Sequence, residues 1–195
     1  MGPWQAALGD SFAQLHPSLR GYFATIPKGS VGRGRGVFDV VGTPRRWLWP
    51  ILAILERDGV IFPRWERNVV FTVENRPVYS GLAAERRFSF ATGERVMTDH
   101  VVLTRRGLED RLGRHGWIVA RLETQVTDGM LTISSVGIRV FGVPIPSFLA
   151  PRVTVHEGLQ EERRQVSLTL DMPGVGRLYE YSGSFEYRIE RGSAG

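Results

Sequence analysis

From about residue 64 onward, apolar and polar residues alternate with a period of two, which is the spacing of a β-strand with one buried face. The clearest example is the segment YEYSGSFEYRI, whose apolar face carries Tyr179, Tyr181, Phe185, Tyr187 and Ile189. The segment RQVSLTLDM alternates in the same way, with Val166, Leu168, Leu170 and Met172 on one face. The pattern predicts half-buried strands that share one core.

Turn residues separate these strand patterns. Asp128-Gly129 lies between two apolar segments and is typical of a two-residue hairpin turn, because both residues tolerate positive φ angles. About eight to ten strands follow residue 60 without intervening helices, which argues against parallel βαβ units. We therefore predict an α+β, mostly antiparallel β fold: a curved sheet or a partly closed β-barrel, with N-terminal helices packed across a face or mouth.

Helical patterns come first in the chain. Apolar residues at helical spacing predict two short helices before residue 27, and Pro17 suits the first turn of the second. Thr43-Pro44 is a typical start signal and predicts a helix over residues 44–58, which Pro50 would distort. We expect a single domain over residues 1–190, with a helical layer over 1–60, an antiparallel sheet over 61–190 and a tail over 191–195.

Composition narrows the range of functions. The pI near 10.2 is basic, but most arginines alternate with acids and the net charge is only +5, so we expect no nucleic-acid partner. The chain has no cysteine and four scattered histidines, which predicts neither a disulfide nor a metal site, and no motif predicts a cofactor. The longest apolar run has nine residues, too few to span a bilayer. Because no secretory signal is evident, we expect a cytoplasmic protein.

The segment GSVGRGRG, residues 29–36, is rich in glycine and arginine. A dinucleotide-binding motif requires G-x-G-x-x-G after a strand and at the start of a helix. This segment has a different spacing and precedes the apolar strand pattern VFDVV. We interpret it as a flexible loop that leads into a strand. Binding of an anion by Arg33, Arg35 and exposed backbone amides is the alternative.

Two further segments have unusual patterns. WLWPILAIL, residues 47–55, has almost no polar face, which is typical of a helix buried in the core. Lining a ligand cavity, or docking on a partner or a bilayer surface, are the alternatives. In AERRFSF, polar Glu85, Arg87 and Ser89 lie opposite Phe88 and Phe90. The simpler interpretation is that this polar face is solvated on the outside of the sheet. The alternative is that it faces inward and binds an anionic headgroup.

The C-terminal half carries proline and glycine motifs, GIRVFGVPIPSFLAPRV and VSLTLDMPGVGRLYEYSGSFEY, with weaker matches in HPSLRGYF, GRGVFDV, ERRFSF and residues 107–109. In these motifs the chain resembles a bacterial family of domains of unknown function. Members of that family occur alone or fused behind NAD(P)-binding domains similar to saccharopine dehydrogenase or to epimerases. The resemblance implies no catalytic residue. The residues that carry it are Gly142, Pro144, Pro146, Leu149, Pro151, Gly176, Tyr181 and Gly183.

We predict a binding module for an apolar or amphiphilic small molecule. The module would be an accessory to a redox enzyme and would have a reductase-like protein as its partner. A concave sheet supplied with aromatic residues and a few polar groups is typical of such a pocket. The partner follows from the resemblance, because redox domains precede the related domains. The candidate ligand-binding residues are Trp47, Trp49, Arg87, Glu109, Trp117, Tyr179 and Tyr181.

Two alternatives stay open. A cofactor-free enzyme of the isomerase or cyclase type would use a pocket carboxylate, and Glu85, Glu109 and Glu180 are the candidates. Arg87 or Tyr181 would then be the electrophilic partner. A protein-interaction accessory domain is the other alternative, and it includes a homodimer paired through the helix predicted over residues 44–58.

Overall fold

The computed structural model describes residues 1–160 and 163–192. The helices in this part of the chain are α1 Pro3–Leu8, α2 Pro17–Phe23 and α3 Trp49–Arg57, with 3-10 helices at Gly9–Gln14 and Arg46–Leu48. The strands are β1 Ser30–Gly42, β2 Trp65–Val78, β3 Gly81–Phe90, β4 Gly93–Thr104, β5 Gly107–Leu112, β6 Ile118–Thr127, β7 Met130–Val140, β8 Val143–Pro144, β9 Arg152–Gln160, β10 Arg163–Met172 and β11 Gly176–Arg191.

The long strands form a closed antiparallel barrel. Around the ring the order is β6, β5, β4, β3, β2, β1, β11, β10, β9 and β7, and β7 pairs with β6. This last pairing removes the free sheet edges that an open sheet would expose. The predicted mostly antiparallel fold is confirmed, and the barrel is fully closed. The short strand β8 pairs with β7, outside the ring.

The predicted hairpin between β6 and β7 is confirmed. Asp128 and Gly129 connect the two strands with φ angles of 53° and 78°. Positive φ at both central positions matches the right-handed twist of the flanking strands, which is why Asp-Gly is favoured there. The turn fixes the register that pairs Thr127 with Met130.

The glycine-rich segment forms part of a strand, so its prediction as a loop was wrong. β1 begins at Ser30, and in its first half the inward positions are glycines while Arg33 and Arg35 are exposed on the outer wall. The alternation is that of a β-strand, with glycine in place of the usual apolar residue. The glycines that face the interior of the barrel are Gly32, Gly34 and Gly36.

Bulky side chains of neighbouring strands explain these glycines. A Cβ atom at Gly34 would lie 2.7 Å from Val73 Cγ1 and 2.9 Å from Phe185 Cδ2. At Gly32 an added Cβ would overlap the phenol of Tyr187. Both distances are shorter than carbon–carbon contact, so only glycine lets β1 pass this close.

The two ends of the barrel are covered differently. One end, the α2 end, carries the β6–β7 turn, where His16 N donates a hydrogen bond to Gly129 O at 2.9 Å. The ring of Tyr22 in α2 lies 4.8 Å from the ring of Tyr187, centroid to centroid. The opposite end, the α3 end, is covered by α3 and the segment after it. There the ring of Phe62 lies 5.3 Å from that of Phe88.

The helix predicted over residues 44–58 is shorter than expected. A 3-10 helix over Arg46–Leu48 precedes α3, which begins at Trp49. Thr43 Oγ1 accepts a hydrogen bond from Arg45 N at 3.1 Å in the preceding turn. Pro50 lies in the first turn of α3, where backbone N–H groups have no intrahelical partner, so the expected distortion does not occur.

The predicted helical layer over residues 1–60 also contains a strand. β1 lies in the sheet between β2 and β11. Arg191 of the predicted tail is the last residue of β11, and residues 193–195 lie outside the described residues. In the described residues, no helix is long and apolar enough to cross a membrane.

Aromatic rings fill the half of the bore that lies toward the α3 end. Phe38 stacks on Phe71 with ring centroids 4.2 Å apart, and the other rings meet edge-on or tilted, which are favourable geometries for aromatic pairs. This half is therefore a packed core. The buried rings that form it are Phe38, Phe62, Phe71, Phe88, Phe90, Tyr179 and Tyr181.

Candidate functional site

Charged side chains occupy the other half of the bore, toward the α2 end. Arg86 of β3 forms an ion pair with Asp99 of β4, and Arg86 also interacts with Asp110 of β5. Nη2 of Arg164 lies 2.7 Å from Oε2 of Glu157. We call these five residues the bore cluster. It contains one more carboxylate than guanidinium groups, so it would be negative if every member were ionised.

Arg164 joins the bore cluster to α2. Its guanidinium carbon lies 3.6 Å from the centroid of the Tyr22 ring and 4.7 Å from that of Phe185. Nε and Nη2 donate to Glu157 Oε2 at 3.1 and 2.7 Å, and Nη1 has no hydrogen-bond partner among the described residues. Only 6% of each of the two paired side chains is exposed. Arg164 is a desolvated cation that contacts aromatic rings and a carboxylate at the same time, so its charge interacts strongly with both.

Burial shifts two carboxyl groups of the bore cluster toward the protonated form. Burial raises the pKa of Asp110 to about 6, and the neighbouring Arg86 opposes this shift. Burial also raises the pKa of Glu157 above its ordinary value, against the pull of Arg164. A carboxyl group with a pKa near 6 gains and loses a proton close to neutral pH, as a general acid or base must.

We expect stability to fall as pH rises from about 4 to about 6 because of Asp110. Its folded pKa of about 6 lies above the ordinary value of 3.8, so the folded state holds a proton that the unfolded chain has released. The resulting stabilisation is complete at low pH and is lost as pH rises through the folded pKa. At about 1.4 kcal/mol per pKa unit, it amounts to at most about 3 kcal/mol.

The matched variant is Asp110→Asn, which keeps the shape of the protonated acid. Urea unfolding of both proteins at about pH 4 and about pH 8 isolates the contribution of this one group. The variant should be the more stable protein at the higher pH, with little difference at the lower pH. A difference in unfolding free energy that does not change with pH would contradict the assignment.

An open groove lies beside the bore cluster at the α2 end, between α2 and strands β1, β10 and β11. Its volume is about 550 Å³, and its aromatic lining consists of Tyr22, Phe185 and Tyr187. Glu186 is its only carboxylate among the described residues. The groove, called the α2 pocket below, combines aromatic surface with an excess of positive charge. The arginines that line it are Arg35, Arg163, Arg164 and Arg188.

Tyr187 lines the α2 pocket, and its hydroxyl group lies beside Asn75 of β2. Burial raises its pKa to about 12, so the phenol is protonated at neutral pH. Its Oη accepts a hydrogen bond from Asn75 Nδ2 at 3.1 Å. With the amide as donor, the phenol hydrogen is left for another acceptor.

A second groove of about 790 Å³ lies on the outer wall of β1, β2, β3 and β11. Most of its charges pair with one another: Arg33 lies 2.9 Å from Glu74 and 3.4 Å from Glu190. Arg87 is paired in the same way with two glutamates. Exposed pairs of this kind are typical of a solvated sheet surface. The groove shares Arg35, Glu186 and Arg188 with the α2 pocket, but of the two grooves only the α2 pocket has aromatic side chains among the described residues that line it. The α2 pocket is therefore the better ligand site, although it is the smaller groove.

The structure does not bring the seven predicted binding residues together. Tyr179 and Tyr181 point into the bore, where the ring of Tyr179 lies 5.8 Å from that of Phe62. Burial raises the pKa of both hydroxyl groups. Trp47 is exposed and Trp49 is half-buried, both at the α3 end. The two tyrosines lie together in the aromatic core, and the two tryptophans lie together at the α3 end, outside that core.

The other three predicted residues lie elsewhere on the molecule. Arg87 lies on the outer wall, as expected of a solvated face. Glu109 is buried and accepts a hydrogen bond from Arg139 Nη2 at 2.8 Å. The ring of Trp117, just before β6, stacks on that of Phe141 with centroids 4.6 Å apart. None of the three is among the described residues that line the α2 pocket.

The carboxylates considered for catalysis occupy outward strand positions. Glu85 pairs with Arg87, and Glu180 lies 2.7 Å from Arg177. Glu109 also points away from the bore, because its neighbours Leu108 and Asp110 point inward. The acids that the bore does contain are those of the bore cluster.

Sequence reasoning missed the bore cluster, although a signal was present. Arg86 occupies the same strand face as Phe88 and Phe90. In β9, Glu157 shares its face with Val155, and Arg164 of β10 shares its face with Val166. A charged residue at an apolar-face position predicts either a buried pair or a functional group.

One comparison with known proteins identifies a family for this chain. The family described as "Domain of unknown function (DUF4166)" matches residues 15–185, which is most of the chain. The chain belongs to this family. The matched DUF4166 region begins just before α2, ends in β11 and includes the whole bore cluster. The search of the curated proteins found no match, and neither did the search of the solved structures.

Proposed function

We propose that the chain is a binding module for an amphiphilic small molecule with an anionic group, and that the α2 pocket is its site. The observation that carries the proposal is an aromatic lining beside four guanidinium groups in one groove. Ligand sites combine apolar surface with a few polar groups that fix orientation. Arginine matches the planar, two-oxygen geometry of carboxylate and phosphate groups.

Two of the arginines are available to such a ligand. Arg35 forms no ion pair with a carboxylate in the described part of the chain, and Arg188 lies 3.6 Å from Glu186. The Arg188 and Glu186 side chains are largely exposed, so their pair is weak and exchanges easily with another anion. The apolar part of the ligand would lie on Tyr22, Phe185 and Tyr187.

Decanoate and decyl phosphate are expected to bind more tightly than decanol of the same chain length, measured by isothermal titration calorimetry below their micellar concentrations. Replacing Arg35 and Arg188 with glutamine should lower the affinity for decanoate about tenfold, since each exposed charge contact contributes about 0.5–1 kcal/mol. The affinity for decanol should stay unchanged, because its apolar contacts are intact.

Arg33→Gln is the control for this pair of substitutions. Arg33 lies two residues before Arg35 on the same strand and outside the α2 pocket. Its removal should leave decanoate binding unchanged. Binding of decanol as tight as that of decanoate, or no binding of any of the three probes, would contradict the proposal.

A second candidate function, a cofactor-free isomerase or cyclase, is favoured by one observation. Asp110, with its pKa raised to about 6 by burial, lies beside the cation Arg86. This pairing of a titrating acid and a fixed positive charge suits proton transfer next to a developing negative charge. A substrate would reach it from the α2 pocket, past Tyr22 and Arg164.

The two candidates are distinguished by what the protein does to a retained molecule. Protein purified without detergent is examined by native mass spectrometry, and any retained molecule is extracted and incubated with fresh protein. An unchanged molecule supports binding alone, whereas a converted molecule supports catalysis. Conversion should then disappear in Asp110→Asn. We place either activity in the cytoplasm, with a reductase-like partner that supplies or receives the ligand.

A further inference from the structure

Large apolar side chains are exposed on α3 and the turn before it. Trp47, Ile51 and Ile54 are 63%, 57% and 61% exposed. Ile51 and Ile54, three residues apart, lie on one stripe of α3, and Trp47 lies in the 3-10 helix directly before it. Leu52 and Leu55 lie on the other side and pack against the core. The helix is therefore only half covered by the barrel.

The connection between β7 and β9 exposes a second apolar group. Phe141, Val143 and Phe148 are 74%, 63% and 71% exposed. β7 ends and β9 begins at the same end of the barrel as α3. Clustered exposed apolar residues of this size are characteristic of an interaction surface.

The β5–β6 connection links the two groups. His115 N donates a hydrogen bond at 3.3 Å to the side chain of Asp58, which follows α3 directly. Trp117 stacks on Phe141, and Phe141 N donates to Trp117 O at 2.9 Å. We call the surface formed by residues 46–57, 114–117 and 141–152 the α3 face.

Positive charge borders the apolar residues of the α3 face. Its four arginines are exposed, and none forms an ion pair with a carboxylate of the described residues. Glu56 is the only carboxylate in the three segments, and it pairs with Arg95. The surface is therefore cationic as well as apolar. The arginines are Arg46, Arg57, Arg114 and Arg152.

We propose that the α3 face docks on the surface of a membrane that contains anionic lipids. Tryptophan, phenylalanine and isoleucine side chains enter the boundary between headgroups and acyl chains, and the arginines contact lipid phosphates. Charge complementarity selects this occupant, because two copies of the α3 face would bring unpaired arginines together. The α2 pocket lies at the opposite end, so docking does not depend on a ligand there.

The test is co-sedimentation with vesicles of phosphatidylcholine, with and without about 30% phosphatidylglycerol. The protein should sediment with the anionic vesicles, less with the neutral ones, and less again at high salt. Ile54→Ser should weaken binding without unfolding the protein, because the side chain is exposed. Replacing Arg46 and Arg57 with glutamine should weaken binding at least tenfold, since each contributes about a fivefold factor.

A control with the same change in net charge is available at the α2 end. Arg105 and Arg106, in the β4–β5 turn, are exposed, and replacing both with glutamine should leave vesicle binding unchanged. Equal losses in the two double variants would overturn the proposal, as would equal binding to neutral and anionic vesicles or no binding at all. A dimer in sedimentation equilibrium that Ile54→Ser converts to monomers would instead assign the α3 face to a second copy.

Discussion

Replacing Gly36 with alanine should lower the free energy of unfolding by about 3 kcal/mol, or prevent folding. An added Cβ atom would overlap the carbonyl oxygen of Ser184 and lie 2.6 Å from the Cα of Phe185. Both atoms belong to the backbone of β11, which pairs with β1 at this point. No side-chain rotation relieves such a contact, so the two strands must separate. Urea unfolding followed by tryptophan fluorescence measures the loss.

Gly137→Ala is the matched control, because Gly137 also lies in a strand but has no atom within 4 Å of an added Cβ. Its substitution should change stability by less than about 0.5 kcal/mol, or raise it slightly by restricting the unfolded chain. Equal losses at the two positions would mean that the cost at Gly36 comes from glycine replacement in general. Close approach of the strands would then not be its cause.

Alternation and turn chemistry were sufficient to predict the strands after residue 64. In β11, the residues Tyr179, Tyr181 and Phe185 face the core as the alternation indicates, whereas Ile189 near the end of the strand is exposed. The pairing of distant strands was not predictable. An alternation with period two shows which face of a strand each side chain occupies, but it does not show which strand lies next to it. The contact between β1 and β11 joins residues near opposite ends of the chain. Closure of the barrel depends on that contact.

The first half of β1 was hard to predict because its inward residues are glycines. A strand is usually detected from alternating apolar side chains, and at Gly32 and Gly34 there is none to detect. The space that those side chains would take belongs to Tyr187 and Phe185 of the neighbouring strand. The pattern is still period two, with Arg33 between two glycines. The reason for glycine at these positions lies in residues of β11, which are more than 150 positions away in the sequence.

The bore cluster was unpredicted for a different reason. A single arginine at an apolar-face position, such as Arg86, has a low probability of burial unless partners are close. The partners of Arg86 come from two other strands, Asp99 on β4 and Asp110 on β5. The pair of Glu157 and Arg164 was the easiest part of the bore cluster to predict, because the two residues lie seven positions apart on paired strands. Their inward direction follows from alternation with Val155 and Val166.

Replacing Arg164 with methionine should lower the free energy of unfolding by about 3–5 kcal/mol near pH 8. Methionine keeps most of the apolar contact with Tyr22, but it leaves the carboxylate of Glu157 buried without a partner. The loss should shrink as pH falls, because burial already raises the pKa of Glu157 and removal of the cation raises it further. A protonated Glu157 has no charge to leave uncompensated.

Two further variants separate the charge from the packing. Adding Glu157→Gln to Arg164→Met should recover most of the lost stability, since no buried charge is left. Arg177→Met, which breaks an exposed pair with Asp171 and Glu180, should cost less than about 1 kcal/mol. Equal losses in the single and double variants at Arg164 would point instead to its stacking on Tyr22. In that case α2 would depend on the ring contact, and the unfolding free energy of both variants would share one pH dependence.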